Sequence, residues 1–104
     1  MPSVLLNILL SQAIREKRRV FATYEGHPRE FCPHALGYKD GIERVLAYQF
    51  GGSSRTGPVE GEWKCFVVAN LLGIALTNGD WRTDSGDRSS RVQHCLDNAI
   101  EQVS

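Results

Sequence analysis

Apolar residues near the start of the chain recur at helical spacing. Leucine, alanine or isoleucine occupies positions 5, 6, 9, 10, 13 and 14, and such intervals of three and four place side chains on one face of an α-helix. Ser3 can cap the first turn with its hydroxyl oxygen, and Arg15, Lys17 and Arg18 complement the negative end of the helix dipole. The pattern predicts a helix over residues 3–18 whose apolar face is buried.

Short β-prone runs replace the helical pattern after residue 19. Valine, isoleucine and aromatic residues are concentrated in these runs, and turn residues separate them, as in small antiparallel sheets. The predicted strands are Val20–Tyr24, Arg29–Gly37, Ile42–Phe50, Trp63–Val68 and Leu72–Thr77. The second and third are joined by Asp40-Gly41, a strong hairpin signal because glycine accepts a positive φ. Five strands after one helix predict a strongly bent sheet or partly closed barrel over residues 20–78.

Pro33 constrains the second predicted strand. Proline has no backbone N–H to donate, so this strand must either lie at an edge of the sheet or contain a bulge at that point. A bulge re-aims the side chains beside it, and the next residue is His34. The hairpin around Asp40-Gly41 therefore carries both a fold prediction and a candidate functional residue.

Polar stretches and a second helical pattern complete the chain. Residues 51–58 and 80–90 are rich in glycine, serine and aspartate and predict loops. Beyond them, apolar residues at 92, 95, 96, 99, 100 and 103 favour a C-terminal helix. A terminal strand is the alternative, because short apolar patterns are ambiguous. We expect one domain over residues 1–104, with 80–104 as an extension of the barrel.

Composition and charge limit the classes of function. A chain of 104 residues supports a single modest core. Its 12 Lys and Arg balance its 12 Asp and Glu, so only a local patch can attract nucleic acid or an anionic membrane. No apolar run approaches the roughly 18 residues that span a bilayer, and the features of a signal peptide are incomplete. We expect a cytoplasmic protein without membrane contact.

The chemistry-bearing residues form no recognisable catalytic or metal motif. Three cysteines without CxxC spacing predict neither a disulfide framework nor a zinc site, and each is interpreted as a small buried apolar group. The three histidines lie on unrelated segments, and no serine occupies a nucleophile elbow. The aspartates at 80, 84 and 87 miss the spacing of an EF-hand. The sequence predicts no enzyme, no metal and no cofactor.

Five segments resemble, in order and spacing, the motifs of a known family. They are Ala13–Val20, Thr23–Gly26, Pro33–Gly41, Ala47–Tyr48 and Trp63–Phe66. Together they are similar to the WYL domain family over about residues 5–77, and Pro-His-Ala-Leu-Gly with its Asp-Gly turn is the most specific part. The resemblance implies an Sm-like, SH3-type antiparallel β-barrel of five strands preceded by a helix. It also implies a non-catalytic bacterial ligand-sensing module, used in transcription regulation or defence, that binds single-stranded nucleic acid or a nucleotide-like effector.

The sequence departs from this family at two functional positions. Glu43-Arg44-Val45 stands where the family has its Trp-Tyr-Leu triplet, and Val67 stands where a basic residue is usual. Residues 1–19 supply one helix, and one helix does not make a helix-turn-helix. We therefore expect a stand-alone WYL-like module without the winged-helix part.

Seven residues make up the predicted ligand site. The residues assigned to phosphate are Arg29, His34, Arg44 and Lys64. The residues assigned to base stacking are Tyr24, Tyr48 and Trp63. Stacking of a base on an aromatic ring contributes roughly 1–3 kcal/mol in single-strand binders.

Each assignment has a structural alternative. His34 can be a partly buried histidine bonded to a neighbouring carbonyl, and the arginines can be solvated surface charges. The tyrosines can pack in the core with the hydroxyl at the rim, and Trp63 can cap the barrel. The competing function is a protein–protein interaction module that has lost its ligand site and forms a homodimer, or docks on another chain, through sheet edges or its terminal helix.

Overall fold

A computed structural model describes residues 2–59, 61–81 and 94–103. Within these ranges the helix α1 (Pro2–Glu16) precedes seven strands, and a short 3-10 turn, Val68–Asn70, follows the fifth strand. The strands are β1 (Arg19–Tyr24), β2 (His27–Lys39), β3 (Ile42–Ser54), β4 (Gly57–Pro58), β5 (Glu62–Val67), β6 (Leu72–Thr77) and β7 (Asn98–Gln102). The prediction of a mainly β protein with an N-terminal helix is confirmed.

Helix α1 ends two residues earlier than the charge pattern predicts. Lys17 adopts a positive φ of 52°, and the N–H of Arg18 then donates to the carbonyl of Ala13 at 2.9 Å while that of Lys17 donates to Ile14. These bonds form a Schellman cap, which satisfies helix-end carbonyls and turns the chain toward β1. Within the described residues no helix has the length and apolar character needed to cross a membrane.

The two longest strands organise one open antiparallel sheet. Strands β2 and β3 each contain 13 residues and pair with one another from Arg29↔Gly52 to Lys39↔Ile42. The far edge of β2 pairs first with β1 and then with β7, and the far edge of β3 pairs with β5 and β4. Strand β6 continues the sheet beyond β1.

The sheet corrects the sequence analysis in two places. Two strands join the five predicted ones. Strand β4 and the end of β3 lie in the predicted glycine- and serine-rich loop, and β7 (Asn98–Gln102) is the terminal strand that was the alternative to a helix. The helix prediction is wrong there because the free edge of β2 between Ala35 and Tyr38 takes up the backbone groups of β7. The residues of β2 that pair with β7 lie some sixty positions earlier in the sequence. The local periodicity around β7 therefore does not indicate this pairing. Residues 82–93 of the predicted loop and helix lie outside the described residues.

The bulge predicted from Pro33 is present. Pro33 pairs with Ala47 and Ala35 pairs with Leu46, so His34 is the extra residue on β2. On the other edge, the pairing with β1 ends at Phe31 and the pairing with β7 starts at Ala35. Pro33 thus lies between two partner strands, where its missing N–H leaves no bond unmade.

Two apolar clusters lie on opposite faces of the sheet, and both include a residue that directly follows the bulge. The main core includes Leu36 and packs the sheet against α1; its fully buried members include Leu10, Ala13, Val20, Phe31, Val45 and Phe66. A second cluster consists of Ala35, Leu46, Cys95 and Leu96. The segment before β7 therefore covers the face of β2 and β3 that points away from α1.

Gly37 is the position where the packing of β7 is most easily tested. A Cβ at Gly37 would collide with the backbone of Asn98 and Ala99. We expect Gly37→Ala to lower the free energy of unfolding by about 1–3 kcal/mol, as overpacking does, and to accelerate amide exchange in β7. Urea unfolding and hydrogen exchange measure both effects.

Gly51→Ala is the matched control on the paired strand. Its added Cβ would lie 3.2 Å from the flexible end of the Glu30 side chain, so we expect a change within about 0.5 kcal/mol. Equal effects of the two substitutions would contradict the proposed packing of β7 on Gly37.

Candidate functional site

The register of β3 with β5 places several predicted site residues on one face. Tyr48 pairs with Trp63, Leu46 with Cys65, and Arg44 with Val67. Alternate residues of a strand share a face, and directly paired residues lie on the same side. We call this surface, formed by Arg44, Leu46, Tyr48, Trp63 and Cys65, the outer face. It is opposite to the main core, to which Val45, Ala47 and Phe66 belong.

An aromatic cluster occupies one end of the outer face. The ring centroid of Trp63 lies 5.4 Å from that of Tyr48 and 4.8 Å from that of His34. On its other side the His34 ring lies 4.8 Å from Trp81. Nε1 of Trp63 is buried and finds no acceptor among the described residues, which leaves a donor available to an added acceptor.

A cleft opens beside this cluster. It has a volume of about 160 Å³ and is lined by Leu46, Trp63, Lys64, Cys65, His94 and Cys95. Lys64 lines the cleft between Trp63 and Cys65, but the alternation along β5 places its side chain on the other face, where Nζ lies 3.7 Å from Glu62 Oε1. The cleft thus combines an indole ring with an imidazole.

A disulfide between Cys65 and Cys95 forms part of the cleft wall. The prediction that all three cysteines are separate apolar groups is therefore wrong for these two. They lie 30 residues apart in sequence, and only the pairing of β5 with β3 and of β7 with β2 brings them together. Cross-linking a loop of this length stabilises a fold by about 2–4 kcal/mol. Cys32 is buried and lies outside the disulfide.

His34 is a buried histidine bonded to a neighbouring carbonyl, which is the structural alternative to a phosphate contact. The residue is 1% exposed, and its Nδ1 lies 2.7 Å from the carbonyl oxygen of Cys32. A carbonyl only accepts hydrogen bonds, so Nδ1 carries the proton and donates. His34 supports the aromatic cluster from inside, and its ring is not at the surface where a phosphate would meet it.

Arg29 is also internal. It is 3% exposed, and its guanidinium donates to the carbonyl of Tyr24 at 3.1 Å and to Oε1 of Gln49 at 3.2 Å. Nη2 lies 3.6 Å from a carboxylate oxygen of Glu25. These contacts give the guanidinium a structural role between β1, β2 and β3.

Arg29 and Arg44 do not flank one surface as predicted. Arg29 pairs with Gly52, whereas Arg44 pairs with Gly37. Because Arg29 and Gly37 stand eight residues apart on β2, the two arginines lie about 26 Å apart along the sheet. Adjacent strands were predicted correctly, but antiparallel pairing sends the two side chains to opposite ends.

Tyr24 contacts residues at the end of β5. Its ring packs edge-on against Phe66 at 4.7 Å, and its hydroxyl accepts a hydrogen bond from the N–H of Val67 at 3.1 Å. This is the predicted alternative of a core tyrosine with its hydroxyl at the rim. The contact joins the end of β1 to the end of β5.

Of the seven predicted residues, the structure therefore gathers three on the outer face. These are Arg44, Tyr48 and Trp63. Lys64 lines the cleft beside them, but its ammonium group lies near Glu62 on the other face of β5. Trp81, His94 and the disulfide were not predicted. The sequence signal for Trp81 was a second tryptophan after the last predicted strand. In the described part of the chain no three His, Cys, Asp or Glu side chains are grouped to hold a metal ion.

Comparisons with known proteins add no relative to this description. A scan against models of known families, a search of curated proteins and a search of solved structures each find no match.

The structural role of Arg29 can be tested by its stability effect. We expect Arg29→Gln to lower the free energy of unfolding by about 1–3 kcal/mol, because the buried carbonyl of Tyr24 and the amide of Gln49 lose their donor. Thermal or urea unfolding measures the change.

Arg55→Gln is the matched control. Arg55 contacts the same Glu25 oxygen at 3.8 Å, but its side chain is 78% exposed, so we expect a change within about 0.5 kcal/mol. If Arg29→Gln proves as mild as Arg55→Gln, the guanidinium does not hold these strands together.

Proposed function

We propose that this protein is a non-catalytic ligand-binding module that takes single-stranded nucleic acid or a nucleotide-like ligand on its outer face. The observation that carries the proposal is the cleft bounded by Trp63 and His94, with Tyr48 against the same tryptophan and Arg44 on the same face. Aromatic rings next to cations are the combination that single-strand binders use for bases and phosphates.

The volume of the cleft favours a ligand that inserts only one of its groups into it. About 160 Å³ is below the 300–1,000 Å³ of typical small-molecule sites. One base or one phosphate-bearing group enters the cleft in this proposal, and the rest of the ligand follows the outer face toward Arg44. A neutral overall charge makes such a local patch necessary, since the whole-molecule field attracts no polyanion.

The cross-strand position of Arg44 supports the resemblance to WYL domains. Arg44 lies directly opposite Val67, the position where that family usually has a basic residue. The positive charge absent at Val67 is therefore present on the neighbouring strand. A bacterial role in regulation or defence is part of this proposal.

We also propose that the five predicted strands, β1, β2, β3, β5 and β6, bend into an SH3-type barrel. Strand β6 pairs with β1, and only a 3-10 turn separates it from β5. The bond from the Val67 N–H to the Tyr24 hydroxyl spans the remaining gap. Strands β4 and β7 are additions to this ring of five.

A cytoplasmic location completes the proposal and bears on the disulfide. In a reducing compartment, disulfides are rare and usually transient or redox-sensing. The Cys65–Cys95 link is then expected to exchange.

Binding of a fluorescent single-stranded oligonucleotide tests the proposal. At low salt we expect anisotropy to report binding that weakens as salt rises. Trp63→Leu should raise the Kd about 5- to 150-fold, since stacking contributes about 1–3 kcal/mol per base. Arg44→Gln should raise the Kd and reduce the salt dependence, because one phosphate contact is lost.

Arg55→Gln again serves as the control, since Arg55 is exposed and is not part of the cleft lining. We expect its Kd to match that of the unmodified protein. No binding at low salt, to the oligonucleotide or to a mononucleotide, would remove this proposal, as would equal losses in Trp63→Leu and Arg55→Gln.

Exposed apolar residues favour a second candidate function, homodimerisation. Leu72 on β6 is 63% exposed and Ile100 on β7 is 51% exposed, and among the described strands β6 pairs only with β1. An apolar strand edge is a template for pairing with another chain.

Light scattering at high concentration tests this candidate. If β6 forms the interface, we expect a dimer that Leu72→Lys converts to a monomer, because a charge is then buried without a partner. Asn70→Lys adds the same charge in the preceding turn and should leave the dimer intact. A protein that is monomeric at every concentration would exclude homodimerisation.

A further inference from the structure

The two sulfurs of the disulfide have different environments. Cys65 is exposed on β5, whereas Cys95 is 2% exposed beneath the outer face. Both line the cleft. A thiol arriving from solvent therefore reaches the sulfur of Cys65 first.

The disulfide also holds one wall of the cleft in place. The first backbone hydrogen bond of the C-terminal segment outside β7 runs from the N–H of Asp97 to the carbonyl of Tyr38 at 2.7 Å. His94 and Cys95 precede it. Lys39 Nζ donates to the exposed carbonyl of His94 at 2.8 Å, and Cys95 packs against Ala35, Leu46 and Leu96. The covalent link from Cys95 to β5 thus positions this wall against Trp63 and Lys64.

We infer that the Cys65–Cys95 disulfide exchanges with small thiols at Cys65 and that its oxidation state sets the affinity of the cleft. The exchange is inferred from the different exposure of the two cysteine residues, whereas the control of affinity rests on the proposed function. The oxidised protein is the form that binds more tightly.

The reaction balances with a low-molecular-weight thiol as reductant. Its thiolate attacks Sγ of Cys65, the bond between the two protein sulfurs breaks, and Sγ of Cys95 leaves as a thiolate that takes a proton from solvent. The product is a mixed disulfide at Cys65. A second thiolate attacks the sulfur of the bound small thiol, releases the small-molecule disulfide and leaves Cys65 as a thiol. Two electrons and two protons pass from the two thiols to the protein.

Reduction weakens the site by removing its preorganisation. In the oxidised protein the His94–Cys95 wall is already fixed, so a ligand does not have to order it. In the reduced protein the wall is held only through β7 and side-chain contacts. We expect the Kd for the single-stranded oligonucleotide to rise about fivefold or more.

The exchange is tested without any ligand. Intact protein is treated with a small thiol under native conditions, alkylated and digested, and we expect alkylation of Cys65 and Cys95 while the circular dichroism of the fold persists. Reduction should also accelerate amide exchange over residues 94–97. A disulfide that resists the thiol until the protein unfolds would overturn the inference.

Two single variants test which sulfur is attacked. Cys95→Ser leaves Cys65 exposed, and we expect rapid formation of a mixed disulfide with an added small-molecule disulfide. Cys65→Ser leaves Cys95 buried and should react much more slowly. The buried Cys32 is present in both variants and serves as an internal reference. Equal rates, or faster reaction of Cys95, would contradict attack at Cys65.

The control of affinity is tested by oligonucleotide binding to the oxidised protein, the reduced protein and a Cys65→Ser/Cys95→Ser variant. We expect the last two to share the higher Kd, and reductant to have no effect on the double variant. Equal Kd values in all three would overturn the control of affinity while the proposed function stands. Binding by none would remove the proposed function and the control of affinity together, and the alkylation experiment would still decide the exchange.

Discussion

The pairing of β2 with β3 is the constraint on which every other element depends. These two strands of 13 residues offer both faces and both outer edges. Every other strand attaches to those edges except β6, which pairs with β1. Side chains alternate along a strand, so a slip of one residue would exchange the main core with the outer face. The bulge at His34 shifts this alternation by one residue, so that Phe31 before it and Leu36 after it both lie in the main core. The register of one hairpin thereby fixes where the helix packs and where the cleft lies.

Much of this hairpin could be predicted because its determinants are local. Asp40 and Gly41 take φ values of 54° and 77°, the left-handed pair that a tight hairpin turn requires. The bulge beside Pro33 could be predicted because the missing backbone N–H is a property of proline itself. The helix could likewise be predicted from its own periodicity. Its C-terminal cap could not, because Lys17 occupies the position where glycine is the usual residue.

Long-range features could not be predicted, since their determinants lie far apart in the chain. Residues 98–102 have a spacing compatible with helix, and only the free edge of β2 makes them a strand. The disulfide depends on that strand in turn. Arg29 shows the same limit for single residues: nothing in its neighbours reveals that Gln49 and the carbonyl of Tyr24 receive its guanidinium. Tyr48 and Trp63 were placed together because both belong to strands that the pattern identified.

The disulfide also determines how the protein would respond to mechanical load. A pull on the C-terminal end first separates β7 from β2, one hydrogen bond after another. At Cys95 the force then crosses to Cys65 and acts on β5, so the intervening chain, including β6, carries no tension. The pair of β1 with β6 is shielded, whereas the pair of β3 with β5 becomes the load-bearing contact. Once the link is reduced, the same force reaches β6 through residues 78–94, and the contact with β1 becomes the one that yields.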